Sequence, residues 1–257
     1  MADSFVNGGV RAERDGDVAR VTMCRPERRN ALDTSMLVAL RDALVAVPDE
    51  VTGVVVAGEG PTFSAGHDLR ELADSDLDAT RTMLEQCRDL MMTIHAMPQV
   101  VVARVHALAT AAGCQLVAAC DLAVAASSAG FAVPGGGGGW FCTTPMVEVG
   151  RAVPRKRALE MALTGDVVDA QTAAAWGLVN LVVADADLDE AVDSLLARAT
   201  RGSAASRAVG KAALYRQLDM GLDEAYGYAT DVMAEASQLP AAREMMAAFV
   251  EKRAPHY

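Results

Sequence analysis

Ala103-Arg-Val-His-Ala-Leu-Ala-Thr-Ala-Ala-Gly-Cys-Gln-Leu-Val-Ala-Ala-Cys-Asp121 joins a strand to a helix. The apolar run Val100 to Val105 predicts a buried strand, and Leu116, Val117 and Ala119 sit at helical spacing. Between them, Ala107 to Gly113 is a run of small residues. Small residues at a strand-to-helix turn let another group approach the backbone, and a helix start leaves N–H donors unspent. Backbone donors of this kind can form an oxyanion hole. The plainer alternative for Ala-Ala-Gly is tight helix packing.

Outward from this segment the chain alternates. Val18 to Met23 predicts a strand ended by Arg25-Pro26, and Asp33 or Thr34 is placed to cap a helix that Pro48 stops. Val54 to Gly58 predicts a buried strand, Glu71 to Asp78 a mobile acidic loop, and Thr80 to His95 a helix. A strand over Leu122 to Ala126 precedes the glycine run Gly135 to Gly139. From Pro145 onward helices are expected near 145–153, 155–163, 169–175, 187–200, 203–217, 223–237 and 240–251, with one strand at Val179 to Val183. Residues 1–16 are polar and are expected to fray. The pattern predicts an α/β fold of successive strand–strand–helix units, 1–195, followed by a helical region, 196–257.

With 257 residues, 52% of them apolar and 22% charged, the chain can bury a sizeable core. A net charge of −11 argues against nucleic acid as a partner. The five cysteines are scattered and never spaced as CxxC, which fits free thiols rather than a disulfide framework or zinc site. No metal-ligand cluster, nicotinamide or flavin fingerprint, targeting segment or membrane-spanning run is evident, so a cytoplasmic location is expected.

Several motifs, in order, resemble the crotonase (enoyl-CoA hydratase/isomerase) superfamily. They are Arg25-Pro-Glu-Arg-Arg-Asn-Ala-Leu32, Phe63-Ser-Ala-Gly-His-Asp-Leu69, Gly113-Cys-Gln-Leu with Cys120-Asp-Leu122, Leu163-Thr-Gly-Asp166 through Gly177-Leu-Val-Asn180, and Phe249-Val-Glu-Lys-Arg253. The resemblance is strongest to the branch of enoyl-CoA hydratase domain-containing proteins of the third type. It implies a spiral of ββα turns with a C-terminal trimerisation region, a homotrimer or dimer of trimers, and a coenzyme A thioester as ligand. No separate cofactor is implied.

Residue by residue, the resemblance puts the backbone N–H groups of His67 and Ala112 in the oxyanion hole, with Gly113 just after. Each such donor stabilises a developing enolate by about 2.7–4 kcal/mol. Arg28 and Arg29 become candidates for the coenzyme phosphates, Ala65, Asp68 and Leu69 for the loop around adenine and pantetheine, and Lys252 for a neighbouring subunit's nucleotide. Asp68 could equally cap the next turn.

The pattern breaks where hydration needs a carboxylate base and a carboxylic acid. Those positions hold Gln115 and Gly135. Ordinary 2-enoyl-CoA hydration is therefore not expected, and the hydratase label states kinship. The alternatives are a non-catalytic acyl-CoA binder and a divergent thioesterase or isomerase. A thioesterase needs a new base, for which His67 and Glu148 are the visible candidates, and the acid that the resemblance gives some isomerase members is missing, because Gly136 to Gly139 fill its positions. Cys114, Cys142 and His106 are expected to be structural, Glu148 solvated or ion-paired, and Trp140 either a roof over an acyl pocket or packing.

Overall fold

A computed structural model describes residues 4–256 of the chain. In chain order its strands and long helices begin with β1 (Ser4–Asn7), β2 (Val10–Asp15), β3 (Val18–Met23), α1 (Thr34–Val45), β4 (Gly53–Gly58), β5 (Thr62–Ser64), α2 (Leu69–Ala73) and α3 (Leu77–Ala96). There follow β6 (Val100–Val105), β7 (Leu108–Thr110), α4 (Ala112–Ala119), β8 (Leu122–Ala126), β9 (Gly130–Ala132), α5 (Pro145–Ala152), α6 (Arg155–Thr164), β10 (Val168–Asp169), α7 (Ala170–Trp176) and β11 (Leu181–Val183). The helices α8 (Leu188–Ala199), α9 (Ala204–Gln217), α10 (Leu222–Ala236) and α11 (Pro240–Glu251) complete it.

Seven strands form one sheet in the order β1-β2-β3-β4-β6-β8-β11, and four form a smaller one, β10-β9-β7-β5. Each strand–strand–helix unit gives its first strand to the large sheet (β4, β6, β8) and its second to the small one (β5, β7, β9). The chain thus spirals between two sheets, and both sets run parallel. Strands covered on both faces read as continuous apolar runs, not alternating ones. Val54, Val56, Val101, Ala103 and Val105 face one core with Leu37, Leu40, Leu90 and Ile94. Their neighbours Val55, Val102 and Val124 face a second core, closed by Leu188, Val192 and Leu196 of α8. Residues 195 and 196 both lie within α8, and the chain leaves the sheet layer at α9. The Lys211 Nζ of α9 is 2.7 Å from Asp121 Oδ2 and donates to the Ile94 and Gln99 carbonyls, tying the helical region to the core.

Two expectations fail here. Residues 4–15 do not fray: β1 and β2 pair antiparallel, and Val10 and Ala12 are buried on α1. Residues 1–3 lie outside the described residues. Nor is Glu71 to Asp78 a loop. Asp68 caps α2, Asp76 caps α3 by accepting from the Ala79 N–H at 2.8 Å, and Glu71 accepts from Thr34. Of the acidic residues that suggested mobility, Asp76 is a cap and Glu71 a tether.

Candidate functional site

The three parallel strands β5, β7 and β9 lie side by side, so the loops leaving their C-terminal ends converge. Sites in α/β proteins form at such strand ends. A pocket of about 390 Å³ opens here, lined by Ala65 and His67 after β5, Thr110 and Ala111 at the end of β7, and Pro134 and Gly135 after β9.

The Arg25–Leu32 motif builds one wall. Asn30, fully buried at a left-handed φ of 49°, donates through Nδ2 to the carbonyls of Glu59, Thr62 and Phe63 at 2.9–3.1 Å, and its Oδ1 accepts from the Arg25 N–H. The segment then runs beside residues 64–68. Ala65 N–H donates to Arg29 O, Leu32 N–H to Gly66 O, and Ser64 Oγ to Asn30 O. Asp33 caps α1 and takes a two-pronged contact from Arg25 at 2.6 Å on each oxygen. Burial works against the Asp33 carboxylate, but the Arg25 fork, the Met36 N–H and the Ser35 hydroxyl outweigh it and hold its pKa at about 2.

The second wall is the start of α4. Ala111 sits at φ 52°, an unusual conformation for alanine, with its N–H donated to Ala132 O at 2.9 Å. The first helical bond is Gln115 N–H to Ala111 O, so the Ala112 and Gly113 N–H groups are left unspent. Among the described residues no partner takes the His67 N–H or the Ala112 N–H. The two loops touch through Gly66, at φ 79°: a Cβ there would fall 2.8 Å from Ala111 Cβ and 2.9 Å from Ala112 N. Gly113 is held as closely, its Cβ position being 2.5 Å from Ser64 O. The structure therefore packs the loop of Ser64 to Gly66, which leads into His67, against Ala111, Ala112 and Gly113.

Asp68 is buried, accepts from the Arg70 N–H at 2.9 Å and is ion-paired to Arg28. Arg28 is thus partly spent on fixing the 64–68 loop. Arg29 is exposed at a left-handed φ of 52°, with no ion pair among the described residues. Leu69 stands exposed at the pocket mouth. Lys252 is an exposed left-handed cap of α11 and is not brought to the pocket within this chain.

Gln115 and Gly135 occupy different settings. Gln115 is buried, one turn along α4, and accepts a weak contact from the Cys87 thiol at 3.7 Å. Gly135 admits no side chain, because a Cβ would lie 2.2 Å from Trp140 O and 2.6 Å from Cys142 Sγ. The glycine run folds back on itself, with the Gly138 and Trp140 N–H groups donating to Gly135 O. Trp140 and Phe141 are half-exposed along the pocket wall.

The other candidates divide clearly. Burial pushes the Cys114 thiol up to about 12 and raises that of Cys142, so neither is a ready thiolate. His106 Nε2 is 2.7 Å from Gly60 O, a structural contact. Burial lowers the His67 pKa; its Nδ1 is 3.4 Å from Leu32 O, and among the described residues its buried Nε2 has no partner. Glu148 is not solvated. It is buried on α5 against His95 at 3.4 Å, and sequence order gave no sign of that partner, which stands on α3.

This fold, with its converging loops and unspent N–H groups, defines the class. A family model described as enoyl-CoA hydratase/isomerase matches residues 13–257, and the chain belongs to that family. It is 41% identical over 246 residues to the enoyl-CoA hydratase domain-containing protein 3, mitochondrial, of Rattus norvegicus, covering 95% of this chain and 82% of that protein. The Homo sapiens counterpart is 39% identical over 241 residues, covering 93% and 80%. Among solved structures, an enoyl-CoA hydratase of Mycobacterium smegmatis superposes with a TM-score of 0.94 at 42% identity, over 97% and 98% of the two chains. The human enoyl coenzyme A hydratase domain-containing protein 3 gives 0.93 at 37%, over 97% and 100%. The mitochondrial names of the relatives overturn the cytoplasmic expectation. No helix among the described residues is long and apolar enough to cross a membrane.

Proposed function

We propose that the protein binds an acyl-CoA thioester with its carbonyl oxygen between the N–H groups of His67 and Ala112, and that it does not carry out ordinary 2-enoyl-CoA hydration. The apposition of Gly66 with Ala111 and Ala112 at the pocket edge carries this reading, because the loops that meet there hold the His67 and Ala112 N–H groups, which have no internal partners among the described residues. A thioester carbonyl gains negative charge when its α-carbon loses a proton, and fixed donors answer that charge without reorganising. Hydration needs two proton-transferring carboxylates. An amide at Gln115 cannot accept a proton, and Gly135 has neither a side chain nor room for one. Arg28, Arg29, Ala65, Asp68 and Leu69 line the approach of the coenzyme, with Lys252 reaching it from a neighbouring subunit.

Assembly as a homotrimer or dimer of trimers is supported by the exposed apolar side chains Leu214, Leu218, Leu222, Tyr226, Phe249 and Val250 on the last three helices. The loss of both carboxylate positions equally favours a non-catalytic acyl-CoA binder. Thermal shift with butyryl-CoA and loss of enoyl absorbance with crotonyl-CoA test the two halves of the proposal, binding and the lack of hydration. The expected result is a raised Tm with a hydration rate at least ~10²-fold below that of a two-glutamate hydratase. No shift with any coenzyme A ester removes the binding reading, and a hydration rate equal to such an enzyme's removes the second half.

A further inference from the structure

A second chamber, about 510 Å³, adjoins the pocket and shares Leu84 and Thr144 with it. One of its walls is Gln115, three residues beyond Ala112 on α4 and so about 4.5 Å further along the helix axis. Another is Glu148, one turn after Thr144 on α5. The other carboxylate of the chamber, Glu85, is exposed on α3.

Glu148 is held from behind. Its Oε2 is 3.4 Å from His95 Nε2, while Oε1 has no partner among the described residues. His95 is in turn stacked on Tyr215, with ring centroids 4.2 Å apart and planes 18° from parallel. Tyr215 donates to Asp121 Oδ1 at 2.9 Å, and Asp121 is fixed by Lys211 and the Val101 N–H. Four elements thus position one buried carboxylate with one oxygen left for the chamber. Gln115 Nε2, on the facing wall, makes no hydrogen bond among the described residues.

We propose that Glu148 is the proton-transferring residue of this site and that His95 is its positioning residue, which makes the protein competent for proton shifts on a thioester and not for water addition. This rests on the reading that His67 and Ala112 hold the thioester carbonyl. One carboxylate suffices when the same group removes and returns a proton. With a 3-enoyl thioester, the Glu148 carboxylate takes an α-proton and the C–H electron pair becomes an enolate conjugated to the 3,4 double bond, with charge on the carbonyl oxygen. The neutral Glu148 then returns the proton to the γ-carbon, leaving a 2,3 double bond. Atoms and electrons balance without a co-reactant, and the enzyme ends as it began.

The experiment uses the full chain, with hexanoyl-CoA in D2O read by mass spectrometry and 3-hexenoyl-CoA read by the rise in 2-enoyl absorbance. The wild type is expected to exchange an α-proton and to move the double bond. Glu148→Gln should lose both by at least ~10²-fold while hexanoyl-CoA still raises its Tm, and Glu148→Asp should recover part of the rate. His95→Asn should lower kcat about tenfold with KM unchanged, the split expected when a positioning contact and not a binding one is removed. The proposal is overturned if Glu148→Gln keeps wild-type rates, or if the wild type binds hexanoyl-CoA without exchange or double-bond migration. A wild type whose Tm hexanoyl-CoA leaves unmoved overturns the carbonyl-binding reading, and the proposal falls with it.

Discussion

Gly66→Ala is the perturbation that strikes most directly at the meeting of the two donor loops. Gly66 stands at φ 79°, and an added Cβ would lie 2.9 Å from both Ala112 N and Thr110 O and 2.8 Å from Ala111 Cβ. Two of those three atoms are backbone, so no rotamer change can make room. A left-handed alanine costs about 1–2 kcal/mol, and forcing a methyl into a closed contact adds about 1–3. The sum, about 2–5 kcal/mol, corresponds to a fall in Tm of roughly 5–15 °C for a chain of this size. Relief can come only by the Ala65–His67 loop moving away from α4, which misplaces one donor relative to the other. Loss of one donor is worth about 10²–10³-fold in a reaction that builds charge on the carbonyl oxygen. The assay pairs a thermal melt with α-proton exchange of hexanoyl-CoA, measured well below the lowered Tm so that folding and chemistry are read separately. A variant that melts within 2 °C of the wild type and exchanges within threefold of it would refute the reasoning.

Asn30→Ala removes the donor shared by the Glu59, Thr62 and Phe63 carbonyls and should cost about 2–4 kcal/mol in urea unfolding, with a looser 64–68 loop seen as faster amide exchange there. The Asp33 carboxylate has a folded pKa near 2, below its ordinary 3.8, so its contribution to stability is complete above about pH 4 and is lost as pH falls toward 2; Asp33→Asn should flatten that part of the stability–pH curve. Restoring carboxylates should give unequal results: Gly135→Glu should fail to fold normally because even its Cβ collides with Trp140 O, whereas Gln115→Glu should fold, and circular-dichroism melts of the two variants check both.

The sequence announces the inner strands of the large sheet well, and its antiparallel edge β1-β2 and the small sheet poorly. Runs such as Val54 to Val56 and Val100 to Val105 are buried on both faces and stand out as apolar blocks. The strands β5, β7, β9 and β10 are two or three residues long, too short for any period, and exist because neighbouring units stack them. Their ends nevertheless carry the site, so its residues are legible only through motifs. Gly66 and Gly113 each mark a place where backbone meets backbone, and Asn30 one where a side-chain amide holds three carbonyls, which explains those motif positions physically. Glu148 is different. Its partner His95 lies 53 positions earlier on another helix, and nothing in the local pattern of either joins them.

The central claim is that two backbone N–H groups grip the thioester carbonyl. Isotope-edited infrared spectroscopy of bound hexanoyl-CoA, labelled with carbon-13 at the carbonyl, tests it most directly. Two donors at hydrogen-bond distance should move the carbonyl stretch to lower frequency than in water, with most of that shift lost in Gly66→Ala. A bound carbonyl that absorbs at its solution frequency, or one whose shift Gly66→Ala leaves intact, would contradict the account.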